Sequence, residues 1–369
     1  MSSANDLDLD DVVKQLQNQL EPLGPKEGVE RYLNHRAGEI TPNTKNEYQA
    51  ELNRFGDFCD REDITNLNDL NGRDIDKYRN WRRKNSTEGN DTLSTKTMRD
   101  VMYLLRDFID YLSSIEAVSS DLTQKIKIPD LAKGDGVRNT EIDTERLNRI
   151  IEHLRKHEYA SREHVVWILL ALTGRRLGGI HSLDLKDLHL DTKEPYLEFR
   201  HNPPETRLKN GEEGEGQVNI TQRVVDVLQA YIHHNRIDTD SETGRKPLLT
   251  TPHGRISKSA MRRYIYKWSR PCKVGQGCPH GRDPEDCEAA QSHNTASQCP
   301  SSRSTHTLRH TYLTQKRRDA VPKNLLSDRC DVSEEILDKH YDERTSDEKR
   351  ERRRKVLNEL RDDTEGDLL

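Results

Sequence analysis

The sequence predicts a mainly α-helical protein with two domains and one small antiparallel sheet. The chain has 369 residues, more than a single domain usually holds. Apolar side chains recur at helical spacing through most of its length. Two short segments, 196–200 and 217–220, have strand character and flank a polar, Gly-rich turn, which predicts a hairpin. A hydrophobic content of 31% is sufficient for helical cores and leaves a polar surface.

The N-terminal part of the chain is predicted to form a helical bundle over residues 29–127. Residues 1–28 are acidic, and we expect them to be a flexible extension. Two stretches of the bundle carry apolar residues at helical spacing, and these predict its core. They are Leu52, Phe55 and Phe58, then Met98, Met102, Leu105, Phe108 and Leu112. Residues 128–138, which contain Pro and Gly, predict a linker to the next domain.

The second domain is predicted over residues 139–345, as helices around the hairpin. It opens with a helix near Asp143. A later apolar helix runs into Gly174, a natural C-terminal cap. Arg176 is therefore expected at a helix-to-helix turn, with its side chain free to reach a ligand. Lys209 lies in the polar turn of the hairpin.

The C-terminal tail, residues 346–369, is dense in charge. Its main apolar residues, Val356, Leu357 and Leu360, would share one face of a helix. Such a face is compatible with docking on a neighbouring protomer, and we hypothesise that role. It is equally compatible with a solvated helix that binds nothing.

A basic patch follows the first apolar stripe of the bundle. Its cations are Lys77, Arg79, Arg82, Arg83 and Lys84, and two aromatic residues, Tyr78 and Trp81, lie between them. Cations can contact phosphates while the rings pack on sugars, which favours a nucleic-acid-binding surface. A charged helix end facing water would have the same composition. The net charge of −5 does not exclude nucleic acid, because phosphate contacts depend on local basic patches.

Residues 272–300 form a Cys-rich insert. Four of the six cysteines lie there beside two histidines: Cys272, Cys278, Cys287, Cys299, His280 and His293. The insert has little apolar surface to bury, so a tetrahedral, structural zinc site is a physical way to order it. The preferred ligands are Cys278, Cys287 and Cys299. The fourth is left open among Cys272, His293 and His280, and unligated thiols are the alternative.

Membrane insertion and secretion are not expected. The sequence has no run of about 18 apolar residues, the length that spans a bilayer. Residues 1–11 are acidic, unlike the basic and then apolar start of a signal peptide. Cys59 and Cys330 stand alone in the sequence and are expected to be small buried residues. These features predict a protein of the reducing cytoplasm.

The pattern most informative about chemistry is a His-x-x-Arg pair near the C-terminus. His306 and Arg309 fall on one face of a predicted helix, residues 304–314, one turn apart. Together they can grip and protonate one phosphate. Tyr341, at the end of the next predicted helix, could supply a nucleophile directed at the same phosphorus. By itself, the pair could also arise by chance on a solvated helix.

These residues occur in an order that resembles a known family. The matching motifs are Thr173-Gly174-Arg175-Arg176, Lys209 in its hairpin, His306-Thr307-Leu308-Arg309-His310-Thr311 and Asp338-Lys339-His340-Tyr341. With these motifs the chain resembles the tyrosine recombinases, or phage integrases, over roughly residues 29–345. The segment from Asp283 through Cys287 to Ser301 looks like the variant found in archaeal mobile elements.

The resemblance implies a metal-free phosphoryl transfer on DNA. Arg176 and Arg309 would hold the phosphate oxygens, and Tyr341 would form a 3′-phosphotyrosine that preserves the bond energy, so no energy cofactor is required. His306 would act as general acid and base, and Lys209 would protonate the departing 5′ oxygen. The bundle would be a core-binding clamp on double-stranded DNA. The implied assembly is a homotetramer on two recombination sites.

The sequence departs from the family pattern at three places. Tyr341 lies about one helical turn later than a gapless match would put it, at Asp338, although a shift of three residues keeps the same helix face. Gly179 stands where the family usually has a Glu three residues after the first arginine. Residues 326–330 replace a Leu-Gly-His motif, and either Asp328 or Arg329 could stand in for its histidine. Two alternatives stay open. These departures favour a catalytically inactive DNA-binding relative, whereas a type IB topoisomerase-like enzyme that nicks and closes one duplex would share the same residues without pairing two sites. A zinc-dependent hydrolase is disfavoured, because four protein ligands leave no open position for water.

Overall fold

The computed structural model describes residues 22–84, 92–132 and 141–341, and a few helical positions beyond them. The chain divides into two compact units, Met1–Arg138 and Asn139–Leu369. Their boundary coincides with the end of the predicted linker. Most of the described residues are helical, with short antiparallel sheets in the second unit. The predicted fold class, mainly α with a small antiparallel sheet, is confirmed.

The first unit is a bundle of helices, and side chains cap the starts of its two longest helices. Its helices are α1 (Pro25–His35), α2 (Pro42–Arg61), α3 (Gly72–Lys84), α4 (Thr95–Ser114) and α5 (Leu122–Lys125). The hydroxyl of Thr41 accepts a hydrogen bond from Thr44 N at 3.2 Å, and Ser94 caps α4 in the same way. Helix α1 begins inside the segment expected to be a flexible extension. Leu23 and Pro25 are buried there, so the ordered bundle starts earlier than predicted.

The core of the first unit contains the predicted apolar stripes. Phe55, Phe58, Met102 and Phe108 are at most 1% exposed. Aromatic rings of α1, α2 and α4 meet edge to face, with the ring centres of Phe55 and Phe108 6.0 Å apart. Helical periodicity therefore located this core correctly. Residues 1–21 and 133–140, which include parts of the predicted extension and linker, lie outside the described residues.

The second unit contains nine helices and five short strands within the described residues. The helices are α6 (Thr144–His157), α7 (Arg162–Thr173), α8 (Leu177–Ser182), α9 (Gln222–Ala230), α10 (Lys258–Trp268), α11 (Glu288–Gln291), α12 (Thr305–Arg318), α13 (Lys323–Cys330) and α14 (Glu334–Tyr341). The strands are β1 (Leu188–His189), β2 (Tyr196–Phe199), β3 (Gly216–Asn219), β4 (Thr250–Thr251) and β5 (Gly254–Arg255). The predicted helix near Asp143 is α6, whose first turn that aspartate caps by accepting from Arg146 N at 2.8 Å.

Helix α7 runs through the core of the second unit and ends at a glycine. Its residues from His164 to Ala171 are all buried. The helix stops because Gly174 adopts φ +69°, a left-handed conformation that favours glycine. A Cβ at this position would also collide with the ring of Tyr312. The predicted cap therefore exists, and it turns the chain directly into the segment that carries Arg176.

The three-stranded sheet has the order β1-β2-β3 and is antiparallel throughout. In the β2–β3 hairpin, Leu197 pairs with Val218, and both side chains are buried. The two strands match the predicted hairpin to within one residue at each end. The long turn between β2 and β3 contains Lys209, which is exposed.

Helices α12, α13 and α14 pack together through a separate small cluster. Its buried members are Leu313, Leu326, Cys330, Val332 and Leu337. Cys330, like Cys59 in the first unit, is a buried residue, as expected. The apolar residues proposed for docking in the tail lie outside the described residues. No helix in the described ranges combines the length and apolarity needed to cross a bilayer.

Candidate functional site

Arg176 lies at the turn between α7 and α8 and is held by one aspartate. Its Nη1 donates to the Asp331 carboxylate at 2.5 Å and to the Asp331 backbone carbonyl at 2.6 Å. The Arg176 side chain remains 25% exposed. It is thus fixed at one edge of its guanidinium while the remainder faces outward.

Arg309 enters the same place from α12. The residue is 3% exposed, and Nη1 donates to the carbonyls of Gly174, at 2.8 Å, and Cys330. Its Nη2 donates to the Asp331 carbonyl at 3.1 Å. The two arginines therefore share one backbone oxygen as acceptor, although they are far apart in sequence. The structure thus brings together two arginines that the sequence predicted for one site.

Asp331 is the residue that the sequence reasoning missed. It follows the end of α13 with φ +53°, a conformation that Asp adopts more readily than most residues. Besides Arg176, its carboxylate accepts from Asn210 Nδ2 at 2.6 Å, so it also anchors the turn beside Lys209. An Asp directly after a predicted helix was the available signal. Nothing local indicated that it would contact an arginine from α7.

Neither residue considered for the replaced histidine motif approaches the arginines within the described contacts. Asp328 is exposed. Arg329 donates to the Tyr312 hydroxyl at 2.8 Å and to the Asn219 carbonyl at 3.1 Å, so it ties α13 to its neighbours. A Cβ at Gly179 would lie 3.3 Å from the Phe199 ring, so a side chain at this position requires a small shift of that ring. The carboxylate that contacts Arg176 in this structure is that of Asp331.

Lys209 is exposed in a turn that is attached to the arginine-bearing segment. Arg175 Nη1 donates to the Gly214 carbonyl at 2.8 Å, and its guanidinium lies 4.6 Å from the centre of the Phe199 ring. Since Arg175 precedes Arg176, these contacts hold the hairpin beside the arginine. The lysine is thereby restrained near the site through its backbone, while its side chain faces solvent.

His306 occupies the first turn of α12, which Ser304 caps by accepting from Thr307 N at 3.3 Å. Its imidazole keeps an exposed edge. The largest effect on the pKa of His306 is its partial removal from water, which lowers it. The nearby basic groups of Arg309, His310, Arg176 and Lys209 lower it further. The imidazole is therefore neutral near pH 7 and can accept a proton. These electrostatic neighbours are the predicted site residues from three separate segments.

Tyr341 is the last residue of α14, and its side chain lies outside the described residues. The competing Tyr312 is half-buried between α12 and α13, where its hydroxyl accepts from Arg329. Burial raises the pKa of Tyr312, which disfavours the phenolate. Tyr264 packs against the domain core. Both rings are thus occupied in packing within the second unit.

Comparison with known proteins agrees with both the sequence motifs and the fold. Residues 29–124 match the family described as phage integrase, N-terminal SAM-like domain. Over 177 residues the chain is 24% identical to tyrosine recombinase XerC from Psychromonas ingrahamii. These matches support a relationship of the chain to the tyrosine recombinase family. The matched region covers 47% of this chain and 54% of XerC, so it spans about half the length of that curated relative.

Solved integrases are similar to this chain in fold. The Tn1549 transposon integrase in complex with transposon right end DNA is 14% identical, and the match covers 91% of this chain and 100% of that one, with a TM-score of 0.61. A lambda integrase dimer bound to a COC′ core site is 12% identical, with 92% and 85% covered and a TM-score of 0.60. At these identities the likeness concerns the fold alone.

The basic patch of the first unit differs from the prediction at one cation. Arg82 is 3% exposed and forms an ion pair with Glu51 through its Nε at 2.6 Å. Arg82 is therefore an interior residue. Moving it into solvent would leave the partly buried carboxylate of Glu51 without this partner. Tyr78 is buried as well, and Trp81 packs on Phe58 with ring centres 5.7 Å apart. The aromatic residues therefore belong to the bundle core and do not pack on sugars.

The other cations of the patch are more accessible. Arg83 and Lys84 are exposed at the end of α3, and Arg79 is half-buried. Lys77 is exposed and lies 3.5 Å from both Glu62 and Asp74, so its charge is partly balanced within the bundle. The accessible part of the predicted DNA-binding surface is thus the last turn of α3.

The Cys-rich insert brings its four thiols to the wall of one small cavity. Cys272, Cys278, Cys287 and Cys299 line it together with His280, and none of them is in a disulfide. His293, which the sequence offered as a ligand, is exposed and does not line this cavity. In the described part of the chain, no three His, Cys, Asp or Glu side chains are already arranged to hold one metal ion.

Proposed function

We propose that this protein is a site-specific recombinase that cuts and rejoins DNA through a 3′-phosphotyrosine. The observation that carries the proposal is the convergence of Arg176 and Arg309 on Asp331, with Lys209 and His306 beside them. Arginines held in this way present a pre-organised pair of positive charges to one phosphodiester. The setting is an integrase or resolvase of a mobile element.

Phosphate binding uses the donors that the arginines have left over. Within the described residues, Arg176 uses only Nη1 in its contacts with Asp331, so Nε and Nη2 face the ligand. Those two groups match a pair of non-bridging phosphate oxygens. Arg309 is anchored more deeply and contributes mainly its charge, in a poorly hydrated setting where that charge acts strongly. This arrangement supplies charge neutralisation at phosphorus from the protein alone.

In the cleavage step the phenol oxygen of Tyr341 forms a bond to phosphorus, and the bond from phosphorus to the 5′ oxygen breaks. The phenol proton passes to the neutral imidazole of His306. Lys209 protonates the departing 5′ oxygen. The phosphotyrosine conserves the ester bond, so rejoining to a new 5′ hydroxyl runs the same steps in reverse without an energy cofactor.

The partners in this proposal are two DNA duplexes and further copies of the chain. Strand exchange joins two recombination sites, and each cleaved strand requires one tyrosine, so we propose a homotetramer. The solved integrase structures described above contain bound DNA, which supports DNA as the substrate. The place of action is then the cytoplasm, where the DNA lies.

The test traps the covalent intermediate. Randomised duplexes are first selected for binding to the full chain, which provides a target sequence. A nick is then placed beside the cleavage position, so that a short fragment diffuses away and rejoining fails. The chain should accumulate a protein–DNA adduct, and mass spectrometry should locate the modification on Tyr341. Tyr341→Phe should abolish the adduct, and Tyr312→Phe, which removes the competing hydroxyl, should retain it.

Three outcomes contradict the proposal. Binding without an adduct would identify an inactive DNA-binding relative. Relaxation of supercoiled DNA without recombination between two sites would identify a topoisomerase-like enzyme. An adduct at another residue would leave the chemistry but remove Tyr341 as the nucleophile.

A further inference from the structure

The Cys-rich insert of the second unit surrounds a cavity that has no role in the proposed strand exchange. Its volume is about 10 Å³, which is roughly the space that one water-sized occupant takes. All four cysteines of the insert contribute to its wall, although they are spread along the segment between α10 and α12. Each is half-buried and each carries a free thiol.

The insert has almost no apolar core of its own. Its buried apolar side chains are Ala289, Ala290 and Ala296, the smallest that a core can use. Ordering a segment of this length costs conformational entropy at every residue, and three alanines bury too little surface to offset it. Some other interaction must hold the fold of the insert, as is usual in small Cys-rich segments.

A buried cation beside the cavity indicates what that interaction is. Arg270 lines the cavity and is 2% exposed. It donates to the backbone carbonyls of Lys267 and Ala289, but no carboxylate among the described residues forms an ion pair with it. A buried charge is costly unless an opposite charge compensates it. The same cavity wall carries Cys272, Cys287 and Cys299, so these thiols lie close to the unpaired guanidinium.

We propose that the insert binds one structural Zn²⁺ through Cys272, Cys278, Cys287 and Cys299. Zinc keeps its cysteine ligands as thiolates, and four thiolates around one Zn²⁺ carry a net negative charge. The centre therefore provides the opposite charge that Arg270 lacks. The thiols of the described structure do not already converge at coordination distance, so metal binding requires the four side chains to move toward one another.

The same geometry selects the fourth ligand, which the sequence left open. Cys272 faces the cavity, whereas His293 is exposed and lies outside it. His280 lies on the cavity wall, but its Nε2 is 2.9 Å from Ser301 Oγ and is occupied there.

The zinc centre would stabilise the start of α12. Directly after Cys299, the chain is fastened by Arg146 Nη2, which donates to the Ser301 carbonyl at 2.5 Å, and by Arg303 N, which donates to Ser269 Oγ at 2.8 Å. These residues lead into the helix that carries His306 and Arg309. The role is structural, and it does not depend on the chain being a recombinase.

The test measures zinc in the purified full chain by plasma mass spectrometry, without DNA. We expect about one zinc per chain, and a near-complete loss of it in Cys287→Ser and Cys272→Ser. The matched control His293→Ala should retain the metal, and so should His280→Ala. Replacement by Co²⁺ should produce the near-ultraviolet thiolate-to-metal band and the visible spectrum of a tetrahedral site.

A second measurement avoids variants that fail to fold. The wild-type chain is heated with and without a strong chelator, and its melting temperature should fall when zinc is removed and return when Zn²⁺ is added. A wild-type chain that holds no zinc after expression in zinc-supplemented medium, or whose four cysteines are found as disulfides, overturns the proposal. So does a His293→Ala variant that loses zinc while Cys272→Ser keeps it. None of these readouts depends on DNA cleavage.

Discussion

The carboxylate of Asp331 orients the active-site arginine Arg176, and removing its charge tests that role most directly. The change is Asp331→Asn, because Asn also tolerates the left-handed backbone at this position and keeps nearly the same shape. The backbone carbonyl that both arginines share is unaffected. Only the ionic part of the contact with Arg176 and the acceptor for Asn210 are weakened.

The expected effect follows from the exposure of the pair. A hydrogen bond between charged groups contributes about 1.5–3 kcal/mol. The side chains of Arg176 and Asp331 are 25% and 12% exposed, so solvent screens part of this interaction, and we take about 1–2 kcal/mol. If that free energy serves to hold the guanidinium against the transition state, the cleavage rate falls by roughly 5- to 30-fold.

The assay separates DNA binding from chemistry. Covalent adduct formation is followed on the nicked duplex under single-turnover conditions, and affinity is measured on the intact duplex by fluorescence anisotropy. Asp331→Asn removes a negative charge next to the bound phosphate, so affinity should stay equal or increase while the cleavage rate drops. A loss of folding would lower both. The matched control is Asp328→Asn, which removes an exposed carboxylate three residues away.

Two results would refute the reasoning. An unchanged cleavage rate in Asp331→Asn would mean that the shared backbone carbonyl orients the arginine by itself. An equal drop in Asp328→Asn would mean that overall charge near the site matters and the specific contact does not.

Three further predictions concern stability. Arg82→Ala should lower the free energy of unfolding by about 3 kcal/mol, because its carboxylate partner is left partly buried and unpaired. Arg83→Ala should change that free energy by less than about 0.5 kcal/mol and weaken DNA binding. Equal effects of the two variants in urea titrations would contradict this contrast. Burial lowers the pKa of His164 to about 4, below its unfolded value near 6.5. The folded protein therefore has its full stability from this group above pH 6.5, and about 3 kcal/mol of the free energy of unfolding is lost as pH falls from 6.5 to 4. His164→Asn, which keeps an acceptor for the same backbone N–H, should flatten that part of the pH profile, and an unaltered profile would exclude this histidine as its source. Gly174→Ala should lower stability by at least about 2 kcal/mol, because this glycine has a positive φ and a tyrosine ring occupies the Cβ position. The control Gly56→Ala, on a helix with open space at the Cβ position, should be neutral or stabilising. An unchanged melting temperature in Gly174→Ala would show that the turn relaxes.

Much of the helical framework could be predicted from the sequence, because its signals are local. The apolar stripe from Met98 to Leu112 needs only helical periodicity to be recognised, and it is buried as predicted. Gly174 announces the end of α7 because a left-handed cap disfavours other residues. His306 and Arg309 share a face because they lie one turn apart. In each case the cause lies within a few residues of the effect.

Other predictions failed or stayed open because they depend on what lies opposite. A run of cations with aromatic residues looked like a continuous DNA-facing surface. In the structure, Tyr78 and Arg82 instead lie on the inner face of their helix, where Arg82 pairs with Glu51 of another helix. The composition of a helix does not reveal whether one of its arginines will form an ion pair with a carboxylate of a neighbouring helix.

By itself, the sequence determined which residue types are available for phosphoryl transfer, their order along the chain and the local helices that carry them, since spacing within a turn is set by backbone geometry alone. Only the tertiary structure decided that Asp331 orients Arg176 across 155 positions, that Arg82 is an interior residue and that Cys272, and not His293, faces the cavity of the insert. These outcomes depend on how separate segments pack, and packing is a property of the whole folded domain that no local pattern contains.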